Sequence, residues 1–258
     1  TGDCNLGGHA AYAYVEANCG GTIEVTDTFV CPGLPVTLKA PDGASSYSWS
    51  SGETTQSIST SDSGTYTVVM GATVGDGCTT SLSKRIHLKD LPLGTFTADT
   101  VCLNNATAFS DGSSAATTSI TKWEWDFEND GTYDHTGKNV SYVFPAAGDH
   151  VVKLQIEDAN GCKHDTVYTV HVWDLPKANF DVVNACMNDS VELINTSTNY
   201  LTNKWDLLNN GSQINTSTNV KYQFASKGAH AVELQVANSS GCADSIVLNV
   251  IVHPSPVA

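Results

Sequence analysis

An internal repeat constrains the fold of this chain more than any other feature of its sequence. Residues 90–173 and 174–253 align along their length, apart from four residues that the later copy lacks between its early cysteine and its tryptophan. A shorter, more distant copy occupies residues 27–89. Each copy has one early cysteine, one central tryptophan, an alternating segment after a glycine, and a Gly-Cys pair near its end. These landmarks are Cys31, Trp49 and Cys78, then Cys102, Trp125 and Cys162, then Cys186, Trp205 and Cys242. Such self-similarity indicates a tandem array in which each copy is one structural unit.

The local pattern within each copy predicts β-strands. Residues 232–236 alternate in polarity throughout and residues 150–156 do so at their end, so one face of each strand points inward and the other faces water. Gly, Ser, Thr, Asn and Val are abundant, and no segment shows a convincing helical period. Short strands with one inward tryptophan in every copy predict an all-β chain of tandem immunoglobulin-like β-sandwiches.

The linkers between the copies set the expected domain boundaries. A stiff, short Asp-Leu-Pro sequence follows each of the first two copies. We expect an N-terminal remnant, or the end of a preceding repeat, at residues 1–26. We place the three sandwiches at residues 27–91, 92–174 and 175–258, in an elongated array whose domains touch mainly their neighbours.

The eight cysteines predict disulfides and an extracellular location. None forms a C-x-x-C pair, so the spacing does not favour a zinc site. Disulfides persist in oxidising compartments outside the cytoplasm. The repeat suggests one bridge per copy, and the remaining two cysteines would pair in the N-terminal segment. The expected pairs are Cys31–Cys78, Cys102–Cys162, Cys186–Cys242 and Cys4–Cys19.

The charge excludes several classes of function. The chain has 12 Lys and Arg against 27 Asp and Glu, a formal net charge of −15. A surface this acidic repels phosphate backbones and anionic membranes, so we expect neither nucleic-acid binding nor membrane insertion. No nucleophile elbow, phosphate loop or dinucleotide fingerprint is present. We therefore expect a non-catalytic segment without a required cofactor.

Two copies resemble a known family at their tryptophan motifs. Trp125-Asp126-Phe127-Glu128-Asn129-Asp130-Gly131 looks like the Trp-Asp-Phe-Gly-Asp-Gly signature of PKD (polycystic kidney disease) domains, and a degenerate version begins at Trp205. Cysteine-bearing strings of such units resemble the large, repetitive gliding-motility and surface adhesins of Bacteroidota. The resemblance implies a PKD-type sandwich at 92–174 and at 175–258. It also implies a stalk or adhesion segment whose partners are surface glycans or neighbouring repeats.

A second function stays open beside this one. PKD units also link catalytic and binding domains, so the chain would serve as an accessory spacer or carbohydrate-binding module of a secreted chitinase or protease. A further alternative is a specific binding module whose contact patch is Trp123 and the acidic loop that follows. Trp123 has no counterpart in the other copies and shares the strand face of Trp125.

The acidic loop has two interpretations. Asp126, Glu128, Asp130 and Asp134 place oxygens at positions 1, 3, 5 and 9 of a calcium-loop pattern, and Ca²⁺ prefers six to eight oxygen ligands. Position 12 is Gly137, where a bidentate glutamate is expected. The other interpretation is a hairpin turn whose Asp130-Gly131 pair would adopt type I′ geometry.

The recurring tryptophans and two histidines predict structural roles. Trp49, Trp125 and Trp205 occur once per copy, which favours packing in the core beside the disulfide. His150 and His230 occupy the same strand position in two copies, commonly a tyrosine in PKD-like units, and we expect them to support the fold.

Overall fold

A computed structural model of the chain describes residues 22–71, 79–183 and 186–254, with the backbone alone for residues 22–26. These residues form twenty-one β-strands and, within those ranges, no helix. The chain is organised as two compact units. One unit runs to Thr95 and also contains Gly112–Glu124 and Leu154–Thr166. The other contains Phe96–Asp111, Trp125–Lys153 and the residues from Val167 onward.

The first repeat forms a four-stranded and a two-stranded sheet. Its strands are β1 (Thr22–Val30), β2 (Val36–Lys39), β3 (Ser46–Trp49), β4 (Ser57–Thr60), β5 (Gly64–Gly71) and β6 (Thr79–Leu88). The larger sheet has the order β1-β6-β5-β3, with β1 parallel to β6, and β2 pairs with β4. Apolar side chains of both sheets meet in one core, which includes Leu38, Trp49, Ile58, Val68 and Ile86. Because β1 begins at Thr22, it crosses the predicted boundary at residue 26.

The middle repeat forms a five-stranded and a three-stranded sheet. Its strands are β7 (Phe96–Ala98), β8 (Val101–Cys102), β9 (Thr107–Asp111), β10 (Ile120–Asp126), β11 (His135–Thr136), β12 (Asn139–Tyr142), β13 (Gly148–Asp158) and β14 (Lys163–Trp173). The sheet orders are β11-β10-β13-β14-β8 and β12-β9-β7. The inward residues Val152, Leu154 and Ile156 of β13 are fully buried, as the alternation predicts.

The third repeat repeats this plan. Its strands are β15 (Phe180–Val183), β16 (Val191–Asn195), β17 (Thr202–Asp206), β18 (Ile214–Asn215), β19 (Val220–Tyr222), β20 (Gly228–Ala237) and β21 (Ala243–Val252). The sheets β15-β16-β19 and β18-β17-β20-β21 share one core, which includes Phe180, Leu193, Trp205, Leu234 and Val250. The prediction of an all-β chain with tandem immunoglobulin-like domains is confirmed, whereas the domain boundaries stay a prediction.

The disulfides differ from the predicted pairing. Cys31 is bonded to Cys162, and Cys102 is bonded to Cys242. The predicted bridges Cys31–Cys78, Cys102–Cys162 and Cys186–Cys242 are therefore wrong. Cys186 is the one free thiol among the described cysteines. Cys4, Cys19 and Cys78 lie outside the described residues, and so does the predicted Cys4–Cys19 bridge.

The physical reason is the position of the two cysteine types within a repeat. The early cysteine lies at the end of the repeat that joins the next linker: β8 pairs in parallel with the last residues of β14, where Cys102 faces Trp173. The closing cysteine lies at the opposite end, in the hairpin between the last two long strands. The early cysteine of one repeat therefore meets the closing cysteine of the next, and each bridge lies within one compact unit.

Candidate functional site

The central tryptophan of each repeat is a core residue with a satisfied indole N–H. Nε1 of Trp49, Trp125 and Trp205 donates to the carbonyl oxygens of Thr55, Gly137 and Ser217, at 2.8, 2.9 and 3.0 Å. All three side chains are buried. A buried indole requires such an acceptor, because an unpaired N–H in the core is costly. The predicted core role is confirmed, although neither bridge between described cysteines lies within a single sandwich.

The acidic loop of the middle repeat begins with a buried carboxylate. Asp126 ends β10, and its Oδ1 and Oδ2 accept the backbone N–H groups of Asp130 and Gly131, at 3.1 and 2.9 Å. Its side chain is fully buried. Asn129 and Gly131 both have positive φ, at 50° and 92°, and this conformation favours glycine and asparagine. Asp130 has no positive φ, so the predicted type I′ turn at Asp130-Gly131 is wrong.

Two other carboxylates of the loop, those of Asp134 and Glu128, contact different groups. Asp134 Oδ2 accepts the N–H of Phe127 at 2.8 Å, and its own N–H donates to the Trp125 carbonyl at 2.7 Å. These bonds tie the end of the loop back to β10. The Glu128 carboxylate lies 3.5 Å from the Tyr142 hydroxyl. Burial, together with the charges of Glu128 and Asp134, raises the pKa of Tyr142 above its usual value.

The carboxylates therefore do not converge on one point. Both oxygens of Asp126 take backbone donors, and Asp130 accepts the N–H of Thr132 at 2.7 Å. Across the described parts of the chain, no group of three or more His, Cys, Asp or Glu side chains is placed to hold a metal ion. Calcium binding by Asp126, Glu128, Asp130 and Asp134 stays a prediction. The observed geometry favours a turn whose backbone N–H groups are bound by the Asp126 carboxylate.

The third repeat contains the same turn without the acidic residues that follow it. Asp206 accepts the N–H groups of Leu208 and Gly211, at 3.3 and 2.6 Å, and Asn209 and Gly211 again have positive φ. Partial burial raises the pKa of Asp206, but hydrogen bonds from backbone N–H groups across the turn outweigh burial and hold that pKa below its ordinary value. The sequence motif looks degenerate here, yet the essential aspartate, asparagine and glycine are all kept.

Trp123 is half-buried on β10 beside a surface ion pair. Lys122 and Glu124, its two neighbours, form that ion pair at 2.8 Å. The Trp123 Nε1 atom is buried and has no hydrogen-bond partner. The corresponding residue of the third repeat, Asn203, instead donates to the Ser217 carbonyl at 2.8 Å. A contact role for Trp123 stays a prediction, and only its ring is open to a ligand.

The two equivalent histidines make equivalent contacts, as the repeat predicts. His150 Nε2–H donates to the Ala146 carbonyl at 2.9 Å, and its ring stacks on Phe144 with centroids 4.2 Å apart. His230 donates to the Ser226 carbonyl at 2.7 Å and stacks on Phe224 at 4.5 Å. Each ring closes the tight turn before a long strand, which is a structural role.

The hairpin that carries each closing cysteine is built by a feature that the sequence reasoning missed. Asp158 Oδ1 accepts the N–H groups of Asn160 and Cys162, both at 2.9 Å. Asn238 Oδ1 accepts those of Ser240 and Cys242, both at 3.0 Å. The glycine before each cysteine has φ near +80° and lets the chain turn back. The signal in the sequence is an Asp or Asn four residues before the cysteine.

Each hairpin also holds the linker that precedes its own repeat. The N–H of Gly94 donates to His164 Nδ1 at 3.2 Å, and the hydroxyl of Thr166 donates to the Gly94 carbonyl at 2.6 Å. At the equivalent position of the third repeat, the N–H of Ala178 donates to Asp244 Oδ2 at 2.9 Å. The disulfide is thus one part of a larger junction between the linker and the hairpin.

Comparison with known proteins finds a family match for one of the repeats. Residues 91–172 match the family model described as the PKD domain. The PKD1 domain of Vibrio anguillarum Epp is 23% identical, with a TM-score of 0.30, over 33% of this chain and 98% of that one. The PKD1 domain from the Vibrio cholerae metalloprotease PrtV is 24% identical, with a TM-score of 0.29, over 32% and 98% of the two chains.

A longer but more distant likeness spans most of the chain. The N-terminal eight Ig domains of Down Syndrome Cell Adhesion Molecule match 92% of this chain and 36% of that one, at 11% identity and a TM-score of 0.41. No curated protein is significantly similar to the chain.

No helix in the described ranges is long and apolar enough to cross a membrane. The disulfides and the family match indicate an extracellular protein. Residues 91–172 thus match the PKD domain family, within a chain of tandem immunoglobulin-like domains.

Proposed function

We propose that the chain is a non-catalytic stalk and adhesion segment of a long bacterial cell-surface adhesin. The adhesin would be of the Bacteroidota kind that supports surface attachment or gliding motility. The observation that carries the proposal is the pair of bridges that link successive repeats, Cys31–Cys162 and Cys102–Cys242. PKD and immunoglobulin-like domains are typically non-catalytic modules, which agrees with a role in spacing and contact.

The bridges suit a segment that works under tension. A disulfide between neighbouring repeats carries force from one repeat to the next when the weaker contacts of the linker give way. The Cys102–Cys242 bridge alone shortens the covalent path by 140 residues, or roughly 460–500 Å of extended chain. In the chain-entropy model, closing a loop of this size stabilises the folded state by about 5 kcal/mol.

The surface charge fits a role among polysaccharides or neighbouring repeats. The net charge of −15 keeps the chain soluble and away from anionic polymers. The half-buried ring of Trp123 is the side chain that we propose for a glycan contact, because aromatic faces stack on sugar rings. A Trp123→Ala variant that stays folded is expected to lose glycan retention on an array. The matched variant is Trp173→Ala, at an exposed tryptophan that lies outside the proposed contact patch, and it should retain glycans.

The test of the proposed function is the size and location of the native polypeptide. An antibody against residues 92–174 is applied to intact source cells and to a denaturing gel of the same cells. A surface-labelled chain of several hundred kilodaltons supports the adhesin. A smaller chain released into the medium with a catalytic domain beside this segment overturns it and favours the accessory module of a secreted chitinase or protease.

A further inference from the structure

Cys186 occupies a position that forms a disulfide in both other repeats. Cys31, Cys102 and Cys186 are each followed by the same turn, in which the residue three positions later donates its N–H to the cysteine carbonyl. The donors are Leu34, Asn105 and Asp189, at 3.2, 3.0 and 3.2 Å. Cys31 and Cys102 are oxidised in this setting, whereas Cys186 is a partly accessible free thiol.

The backbone around Cys186 also matches that of its bonded counterpart Cys102. Cys102 pairs in parallel with Trp173, and the next residue, Leu103, donates its N–H to the Trp173 carbonyl at 2.8 Å. Cys186 pairs in parallel with His253, and Met187 donates to the His253 carbonyl at 2.7 Å. The third repeat therefore presents its early cysteine on the same frame as the middle repeat does.

Both bonded early cysteines take the same kind of partner. Each partner follows a positive-φ glycine in a hairpin closed by an Asp or Asn side chain, and its own side chain is almost completely buried. In both cases the partner belongs to the next repeat along the chain. Cys162 and Cys242 are already taken in this way, so neither is open to Cys186.

We propose that Cys186 forms a disulfide with the Gly-Cys hairpin cysteine of a further repeat of the same kind, which follows the third repeat in the same polypeptide. The residues after β21 agree with this, because Pro256 stands where Pro92 and Pro176 stand in the earlier linkers. The bridges would then form a series, each joining one repeat to its successor. This inference goes beyond the proposed function and holds whether or not the chain works in adhesion.

The oxidation is balanced by thiol–disulfide exchange with an oxidoreductase of the extracytoplasmic compartment. The Cys186 thiol and the hairpin thiol each lose one hydrogen atom, and an S–S bond forms between them. The two electrons and two protons reduce the disulfide of the oxidoreductase to a dithiol. A partly exposed thiol such as Cys186 is accessible to this exchange.

The decisive experiment supplies the missing partner. A chain is expressed in the periplasm in which residues 174–254 are repeated once after residue 254, so that a second copy of the Cys242 hairpin follows Cys186. Free thiols are alkylated without reductant, and the disulfides are mapped by mass spectrometry. We expect Cys186 to be bonded to the added hairpin cysteine, with the early cysteine of the added copy alkylated instead.

Two variants make the result specific. Cys186→Ser in the extended chain should leave the added hairpin cysteine alkylated and the bridges Cys31–Cys162 and Cys102–Cys242 unchanged. Asn238→Ala, placed only in the added copy, should lower the yield of the new bridge several-fold, because it removes the side chain that shapes the hairpin. An alkylated Cys186, or a bridge between the two cysteines of the added copy, would overturn the proposal.

The native protein gives an independent answer. After alkylation of the protein from source cells, the peptide that contains Cys186 should be linked to a Gly-Cys peptide outside residues 1–258. A bond from Cys186 to Cys78 of a second copy would overturn the proposed partner and would appear as a covalent dimer. A bond to Cys4, Cys19 or Cys78 of the same copy would also overturn it.

Discussion

The position after the Trp-Asp pair holds Phe127 in the middle repeat and Leu207 in the third, and both side chains are buried. Phe127 stacks on Tyr142 with centroids 4.3 Å apart and contacts Phe109 at 5.0 Å. Leu207 belongs to a core in which Leu193 stands where the middle repeat has Phe109. The same strands therefore accommodate two phenylalanines at these positions in one repeat and two leucines in the other.

The two turns that follow differ in the group that accepts the N–H of this residue. The middle repeat fixes the N–H of residue 127 with the Asp134 carboxylate, whereas the third fixes the N–H of Leu207 with the Gln213 backbone carbonyl at 3.0 Å. The backbone N–H at this position requires a hydrogen-bond acceptor, which is a side chain in one repeat and a backbone carbonyl in the other. The turn is thus preserved although the acidic motif is not.

The largest expected effect comes from emptying the two cores. Phe127→Ala should destabilise the middle repeat by about 3–5 kcal/mol, since it removes a buried ring and its stacking partners lose contact. Leu207→Ala should cost the third repeat about 2–5 kcal/mol. Hydrogen exchange resolved by peptide measures each repeat separately. If Leu207→Ala destabilised the third repeat more than Phe127→Ala destabilises the middle repeat, the packing around Phe127 would not be the stronger of the two.

The second comparison separates a side-chain acceptor from a backbone acceptor. Asp134→Ala should cost the middle repeat about 1–3 kcal/mol, because the Phe127 N–H loses a charged acceptor in a partly buried hydrogen bond. Gln213→Ala should leave the third repeat within about 0.5 kcal/mol of the unmodified chain, since its carbonyl remains. Hydrogen exchange of peptides near each loop, measured at increasing urea concentration, gives the free energy of unfolding of each repeat in both variants. Equal losses in the two variants would contradict this account.

The histidines should behave alike in the two repeats. His150→Phe and His230→Phe keep the stacked ring but lose the N–H that donates to the turn carbonyl, at a cost of about 0.5–1.5 kcal/mol each. Thermal unfolding of the two variants measures these costs. A loss in one repeat only would show that the shared geometry does not have a shared role.

The smallest effect is expected from Asp206→Asn, because asparagine keeps one acceptor oxygen for the turn. The pKa of Asp206 is lowered by folding, so its carboxylate stabilises the third repeat above the pKa of an unfolded aspartate, near 3.9. This contribution is lost as pH falls through the folded pKa. The stability difference between the unmodified chain and the variant should therefore be widest at neutral pH and should vanish in acid. A gap that grows in acid would contradict the assignment.

Much of the fold follows from the sequence because its signals are local. The alternation in 150–156 and 232–236 predicts the strands, and a tryptophan per repeat predicts a buried indole. The disulfide pairing does not follow, because one early and one late cysteine per repeat fit both a bridge within a repeat and a bridge to the next. Only the positions of the β8 end and of the β13–β14 hairpin decide between them.

The acidic loop shows the same limit at the level of single atoms. A calcium loop and an aspartate turn use the same residue types at the same spacing, namely Asp126, Asp130 and the glycine after it. What separates them is whether the carboxylate oxygens receive backbone N–H groups or face a common point. That depends on the φ of Asn129 and Gly131, which the sequence suggests only through its preference for Asn and Gly.

The two bridges enclose overlapping stretches of chain, residues 31–162 and 102–242. A protease that cuts any single peptide bond between Cys31 and Cys242 therefore leaves two fragments that are still covalently joined. Such a nicked molecule would migrate as one species until a reductant separates its pieces. In a protein exposed to proteases in its surroundings, a single backbone cut between these cysteines therefore does not release the part of the chain beyond the cut.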